Sequence, residues 1–227
     1  MRIAARLAPA FFAFLVAACG DGPPDCCMGG ASGLRVINAF TAPVDVLIDG
    51  TVAVAGLAAG TIDTVSPAAG AHTLMLRPSA GASASQSITT SAGALNTIAA
   101  VRGASGAVST AILDDTNAVV PAGATKVRVL HLAPNAGELQ VYRTQPDYQQ
   151  PISWQFPFTY QAQPTSLSAP FFQSTVGTWE VRIWQTPASP SGWATAPVKV
   201  VLPLLSGEKR TILMLDKAGG GVRVEVL

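Results

Sequence analysis

The chain has 227 residues, 14 Lys+Arg against 13 Asp+Glu, a formal net charge of +1, and 49% hydrophobic but only 12% charged residues. A near-neutral chain excludes charge attraction to nucleic acid or to anionic lipid as the source of any attachment. Beyond the N-terminus no apolar run approaches the roughly 20 residues a membrane-spanning helix needs, and the 21 Gly and 17 Pro point to many turns between short strands.

Arg2 and Arg6 precede an apolar run from Leu7 to Ala18 that is broken only by Pro9 and ends Leu15-Val16-Ala17-Ala18-Cys19-Gly20. A basic start, a short apolar run and small residues are the layout of an export signal. The Val-Ala-Ala-Cys ending resembles the lipobox of bacterial lipoproteins. That resemblance implies a signal peptide over residues 1–18, a diacylglycerol on the Cys19 thiol and acylation of the new amine. Two or more acyl chains anchor stably, whereas one is marginal. The other reading of these residues is an ordinary secreted protein cut near Ala18. By the same resemblance Gly20, standing where aspartate would signal inner-membrane retention, favours the outer membrane of a bacterial envelope.

Residues 19–33 read as a flexible tether, without periodicity and rich in Gly and Pro. Cys26 and Cys27 are adjacent, with Cα atoms about 3.8 Å apart, closer than the roughly 4.4–6.8 Å of most disulfides. A bridge between them would be strained, so they read as incidental thiols, with intermolecular pairing as the other option.

From residue 34 the pattern alternates. Apolar positions recur every second residue in 34–40 and 44–49, and further strands are expected at 61–65, 72–77, 86–90, 96–101 and 107–113, each followed by Gly, Pro, Ser or Asp. The second half repeats the first. Residues 126–134 with 138–142 mirror 34–40 with 44–48, 177–183 mirror 70–76, 210–215 mirror 96–101, and 221–227 mirror 106–113. Extra loop length falls mostly between Arg143 and Val176. The chain is therefore expected to be all-β, two tandem antiparallel β-sandwich (immunoglobulin-like) domains over 34–113 and 126–227, joined by a linker at 114–125.

The run Val-Arg-Val-Leu-His-Leu-Ala-Pro-Asn-Ala followed by Leu-Gln-Val-Tyr resembles the opening block of the domain-of-unknown-function 4397 family. Arg128, His131, Pro134 and Asn135 fit that block, and Tyr142 ends the strand after it. The first copy fits through Arg35, Val36, Pro43, Val44-Asp45-Val46 and Asp49-Gly50, but has Asn38 in place of the histidine. The resemblance implies tandem β-sandwich modules in exported bacterial proteins, and no reaction.

Chemistry-bearing residues are few. His72 and His131 have no His or Cys at metal-ligand spacing, and His131 beside Ala-Pro-Asn reads as a turn-holding imidazole. Gly103-Ala104-Ser105-Gly106-Ala107 falls short of a nucleophile elbow. Asp45, Asp49, Asp63, Asp114 and Asp115 read as strand-end turn residues more than as calcium ligands. The candidate binding surface is aromatic: Trp154, Phe156, Phe158 and Tyr160 alternate, hence share one face of an extended strand. They would form either a stacking platform or, with Phe171, Phe172 and Trp179, the core of the second domain. The expected protein is a lipid-anchored, non-catalytic binding or structural module of the cell envelope, without cofactor or metal. Its partners would be the membrane, through Cys19, and an envelope protein or glycan. The alternative is a carbohydrate-binding module using the domain-two aromatics.

Overall fold

The computed structural model describes residues 32–113, 119–146, 152–153, 166–167, 171–185, 196 and 198–227. All regular structure in these residues is strand, in chain order β1 Gly33–Asn38, β2 Val44–Ile48, β3 Thr51–Leu57, β4 Ile62–Val65, β5 Gly70–Pro78, β6 Ala84–Thr90, β7 Leu95–Arg102 and β8 Val108–Leu113. The second half continues with β9 Ala124–Leu132, β10 Leu139–Thr144, β11 Ile152–Ser153, β12 Ser166–Leu167, β13 Phe172–Thr175, β14 Gly177–Gln185, β15 Val198–Leu204, β16 Lys209–Asp216 and β17 Val222–Val226. The protein is all-β.

Four sheets form. In the first half an outer sheet β3-β2-β5-β6 faces an inner sheet β8-β7-β1-β4; in the second half an outer sheet β11-β10-β14-β15 faces an inner sheet β17-β16-β9-β13. Strand by strand the two orders coincide, β1 with β9, β2 with β10, β5 with β14 and β7 with β16. One addition breaks the match: β12, from the long insertion of the second half, pairs in parallel with β8 on the first inner sheet.

Pairing is not antiparallel throughout, as the alternation had suggested. β1 runs parallel to β7 and β9 parallel to β16. Between β1 and β7 the chain passes through five strands, visits the outer sheet and returns in its starting direction. Parallel partners need such a crossover, whereas a hairpin yields only antiparallel ones.

Each inner sheet is apolar on both faces. Leu34, Val36, Ile98 and Ala100 face Val44, Val46, Leu74 and Leu76 in one core. Val127, Val129, Ile212 and Met214 face Val141, Val181, Ile183 and Leu202 in another. The alternate residues of the same strands, Ile37, Ala39, Ala99 and Val101 from the first half and Leu130, Leu132, Leu213 and Leu215 from the second, make a third cluster that joins the two inner sheets. This is why Ile212–Leu215 reads as an unbroken apolar run, as strands buried on both faces do. The result is four stacked layers with an apolar cluster at the central seam, each fully buried Leu or Ile contributing about 1.5–3 kcal/mol.

One end of the stack is where the chain enters. The Ser32 hydroxyl, itself buried, donates to the Pro67 carbonyl at 2.6 Å, and the Gly33 N–H donates to the Ala94 carbonyl at 2.8 Å. At the opposite end Gly60 (φ +73°) fits against the second half so tightly that a Cβ there would stand 2.5 Å from the Asp216 carbonyl oxygen. Gly60→Ala is therefore expected to strain the backbone and push the seam apart, lowering stability by about 1–3 kcal/mol in urea denaturation. An unchanged midpoint would mean that this contact gives way freely.

Candidate functional site

Cys19, Cys26, Cys27 and the aromatic row Trp154, Phe156, Phe158 and Tyr160 lie outside the described residues. What is described is the strand that leads into that row. β11 ends at Ser153 on the edge of the second outer sheet, where Tyr142 pairs with Ser153 and Arg143 with Ile152. Of the aromatics expected to fill the second core, Phe172 and Trp179 pack against it. Phe171 lies elsewhere, its ring centroid 4.5 Å from the guanidinium carbon of Arg128.

The second outer sheet carries a polar cluster on its outward face. Because Val181 and Ile183 point into the core, Glu180 and Arg182 point away from it. Yet both are nearly fully buried, and they form an ion pair with the Arg182 Nε–H donating to Glu180 Oε1. Tyr142 stands opposite Arg182 and Thr144 opposite Glu180 across the β10–β14 ladder. The Thr144 hydroxyl is buried without a hydrogen-bond partner, and the Tyr142 hydroxyl donates to Gln140 Oε1 at 2.9 Å. Around the sheet edge Arg143 donates to the Ser174 hydroxyl and lays its guanidinium carbon 4.5 Å from the Trp179 ring centroid. Sequence reasoning missed this cluster. Opposite charges two apart on a strand share a face, but that face is ordinarily the wet one.

Other ionisable side chains hold turns. His131 Nδ1 accepts the Ala133 N–H at 3.2 Å, so its proton sits on Nε2, which donates to the Gly137 carbonyl. Burial pushes its pKa down, keeping the neutral form. Asn38, its counterpart in the first half, does the same work with an amide. Its Oδ1 accepts the Phe40 N–H, and its Nδ2 donates to the Ala42 and Leu57 carbonyls. Asn135 donates from backbone and side chain to Asp216, whose pKa is raised chiefly by burial. Among the described residues no group of three or more His, Cys, Asp or Glu is placed to hold a metal ion.

His72 is held by two acceptors, Asp49 Oδ2 at 2.7 Å and the Ala68 carbonyl at 2.8 Å. Both contacts call for a proton on the ring nitrogen, so the imidazolium fits best. The hydrogen bond to Asp49, then that to Ala68, raises its pKa above 6.5. The Asp49 carboxylate, bonded by His72 and the Thr73 N–H, is correspondingly lowered. A raised histidine pKa stabilises the fold fully below the unfolded value and ceases to do so as pH rises through the folded one. In an NMR titration the His72 midpoint should lie above 6.5 and fall in Asp49→Asn. An unmoved midpoint would remove the pair.

Residues 32–142 match the family of the domain of unknown function DUF4397. This segment belongs to the DUF4397 family. The DUF4397 match takes in β1 to β9 and ends at Tyr142 within β10, so it includes Arg128, His131 and Asn135. All three hold the fold together. Arg128, fully buried, donates from Nε to the Thr211 hydroxyl at 2.9 Å, His131 closes the turn after β9, and Asn135 ties that turn to β16. No curated protein matches the chain. Similar solved structures include a product complex of SpuA, a multi-modular glycogen-degrading pneumococcal virulence factor (11% identity, TM-score 0.27, covering 80% of this chain and 20% of that one). The Bacillus anthracis TIE protein is another (8% identity, TM-score 0.24, 81% and 33%). A leucine-rich repeat protein from Bacteroides thetaiotaomicron is a third (9% identity, TM-score 0.20, 80% and 26%). The chain spans a third or less of the length of each.

Proposed function

We propose that this chain is a lipid-anchored protein of the bacterial cell envelope whose β-sandwich body acts as a non-catalytic structural or binding module. The observation that carries the reading is Cys19 at the end of Leu15-Val16-Ala17-Ala18-Cys19-Gly20, followed by a Gly- and Pro-rich stretch that leads to a body starting at Ser32. The body supports it: His72, His131, Asp45, Asp49 and Asp216 are all engaged in holding turns or strands together. Labelled palmitate supplied to cells should enter the wild-type chain and be absent from Cys19→Ser, which should appear soluble or uncleaved. If Cys19→Ser is still cleaved and still fractionates with membranes until detergent is added, the anchor assignment fails.

A further inference from the structure

The two ends of the stack differ in a way neither core explains. Six large hydrophobic side chains stand exposed among the described residues. Four of them, Leu95 at 47%, Val119 at 85%, Val176 at 43% and Leu205 at 60%, belong to the end where the chain enters. Leu95 opens β7 beside Gly33, so close that a Cβ on Gly33 would meet its Cδ1 at 2.8 Å. Val119 lies in the linker between the end of β8 and the start of β9. Val176 and Leu205 flank the first pair of the β14–β15 ladder, Gly177 with Leu204. The Gly60–Asp216 contact fixes the far ends of both halves together, so these near ends share one side. The other two, Val52 and Val201, sit on edge strands β3 and β15.

The far end is built differently. Three of its turns, Ser79 to Ser83, Gly103 to Gly106 and Lys217 to Gly221, are made of Gly, Ala, Ser and Lys, and no large hydrophobic is exposed there among the described residues. Among the described residues of the near end, Asp49 pairs with His72 and Glu208 with Arg210. Apolar side chains raised at strand ends and turns suit the boundary between headgroups and acyl chains.

We infer that this end of the protein rests on the lipid surface, with Leu95, Val119, Val176 and Leu205 at the headgroup–acyl boundary. The inference deepens the anchor reading and rests on it. Ser32 is pinned at this end, and only residues 20–31 separate it from Cys19. Fully extended these reach about 40 Å, so acylation keeps the tip within that distance of the bilayer. A contact too weak to recruit a free protein is then made effectively intramolecular. The lipid supplies attachment and the tip supplies orientation. The far end and its polar loops are left facing away from the membrane.

The test uses the full acylated chain with Cys26→Ser and Cys27→Ser, reconstituted in phosphatidylethanolamine/phosphatidylglycerol vesicles that contain a headgroup-depth nitroxide lipid. A fluorophore is placed through Leu95→Cys or Leu205→Cys at the near end, or through Ser105→Cys at the far end. Quenching by the nitroxide should be several-fold stronger at 95 and 205 than at 105, with iodide accessibility in the reverse order. Equal quenching at all three sites in a chain that floats with the vesicles overturns the tip contact and leaves the anchor intact. Near-end labels shielded from iodide yet unquenched by the lipid overturn it too, since something other than lipid then covers that end. A chain that carries no acyl group and does not float overturns both.

Discussion

Leu213→Ala should lower the stability of the whole chain by about 2–5 kcal/mol, the range for emptying a fully buried leucine site, and should do so in both halves at once. Leu213 has no exposed surface and sits in the cluster joining the inner sheets. Interfaces between domains are commonly more polar and allow relative motion; this one is built from leucine, isoleucine, valine and alanine. The four tryptophans, at 154, 179, 184 and 193, all lie in the second half. Tryptophan emission therefore follows that half alone, and far-ultraviolet circular dichroism follows both. In urea the two signals should move together to one lower midpoint. If emission shifts first and half of the dichroism persists, the seam does not couple the sandwiches.

Glu180→Gln should cost about 3–5 kcal/mol, because it removes the carboxylate charge from a buried ion pair with Arg182. The size of the effect follows from burial: the Arg182 and Glu180 side chains are only 5% and 9% exposed. An exposed pair of the same geometry would be worth about 1 kcal/mol or less. The double variant Glu180→Gln/Arg182→Met removes both buried charges and should recover most of the loss, as replacing both members of a buried pair often does. A loss under about 1 kcal/mol in the single variant would place the pair in contact with water.

Strands whose two faces differ were legible from sequence. β2 alternates buried Val44 and Val46 with Asp45. β3 was not, since Thr51–Leu57 is a largely exposed edge strand that meets the core only through Val54 and Leu57, and its Ala, Val and Gly offer no polar alternation to read. The Asp49-Gly50 pair before it, both at positive φ (51° and 80°), is a type I′ hairpin turn, and it was the signal that could have recovered the strand. Parallel pairing of β1 with β7 left no trace because side-chain period is the same in either direction. The turn role of His131 was readable from the Ala-Pro-Asn beside it. Asn38 falls at the equivalent position, but that its amide does the same work in the turn was not readable, because an imidazole and an amide share hydrogen-bonding geometry but no composition. The buried charges Arg128, Glu180 and Arg182 were invisible for a simple reason: their neighbours in the ladder, rather than their neighbours in sequence, decide whether water reaches them.

The central seam has the form of a homodimer interface contained within one chain. Position by position, Ile37 corresponds to Leu130, Ala39 to Leu132, Ala99 to Leu213 and Val101 to Leu215, and both sets meet in one cluster. An isologous contact of this kind would bring each surface against its own copy. Here the sides have diverged, with alanine in the first half where the second has leucine. Two copies of the second half would crowd leucine on leucine, and two copies of the first would leave voids between alanines. Each half is thus shaped to prefer its covalent partner over a second molecule, a discrimination achieved by volume alone. That preference disfavours the exchange of halves between neighbouring chains.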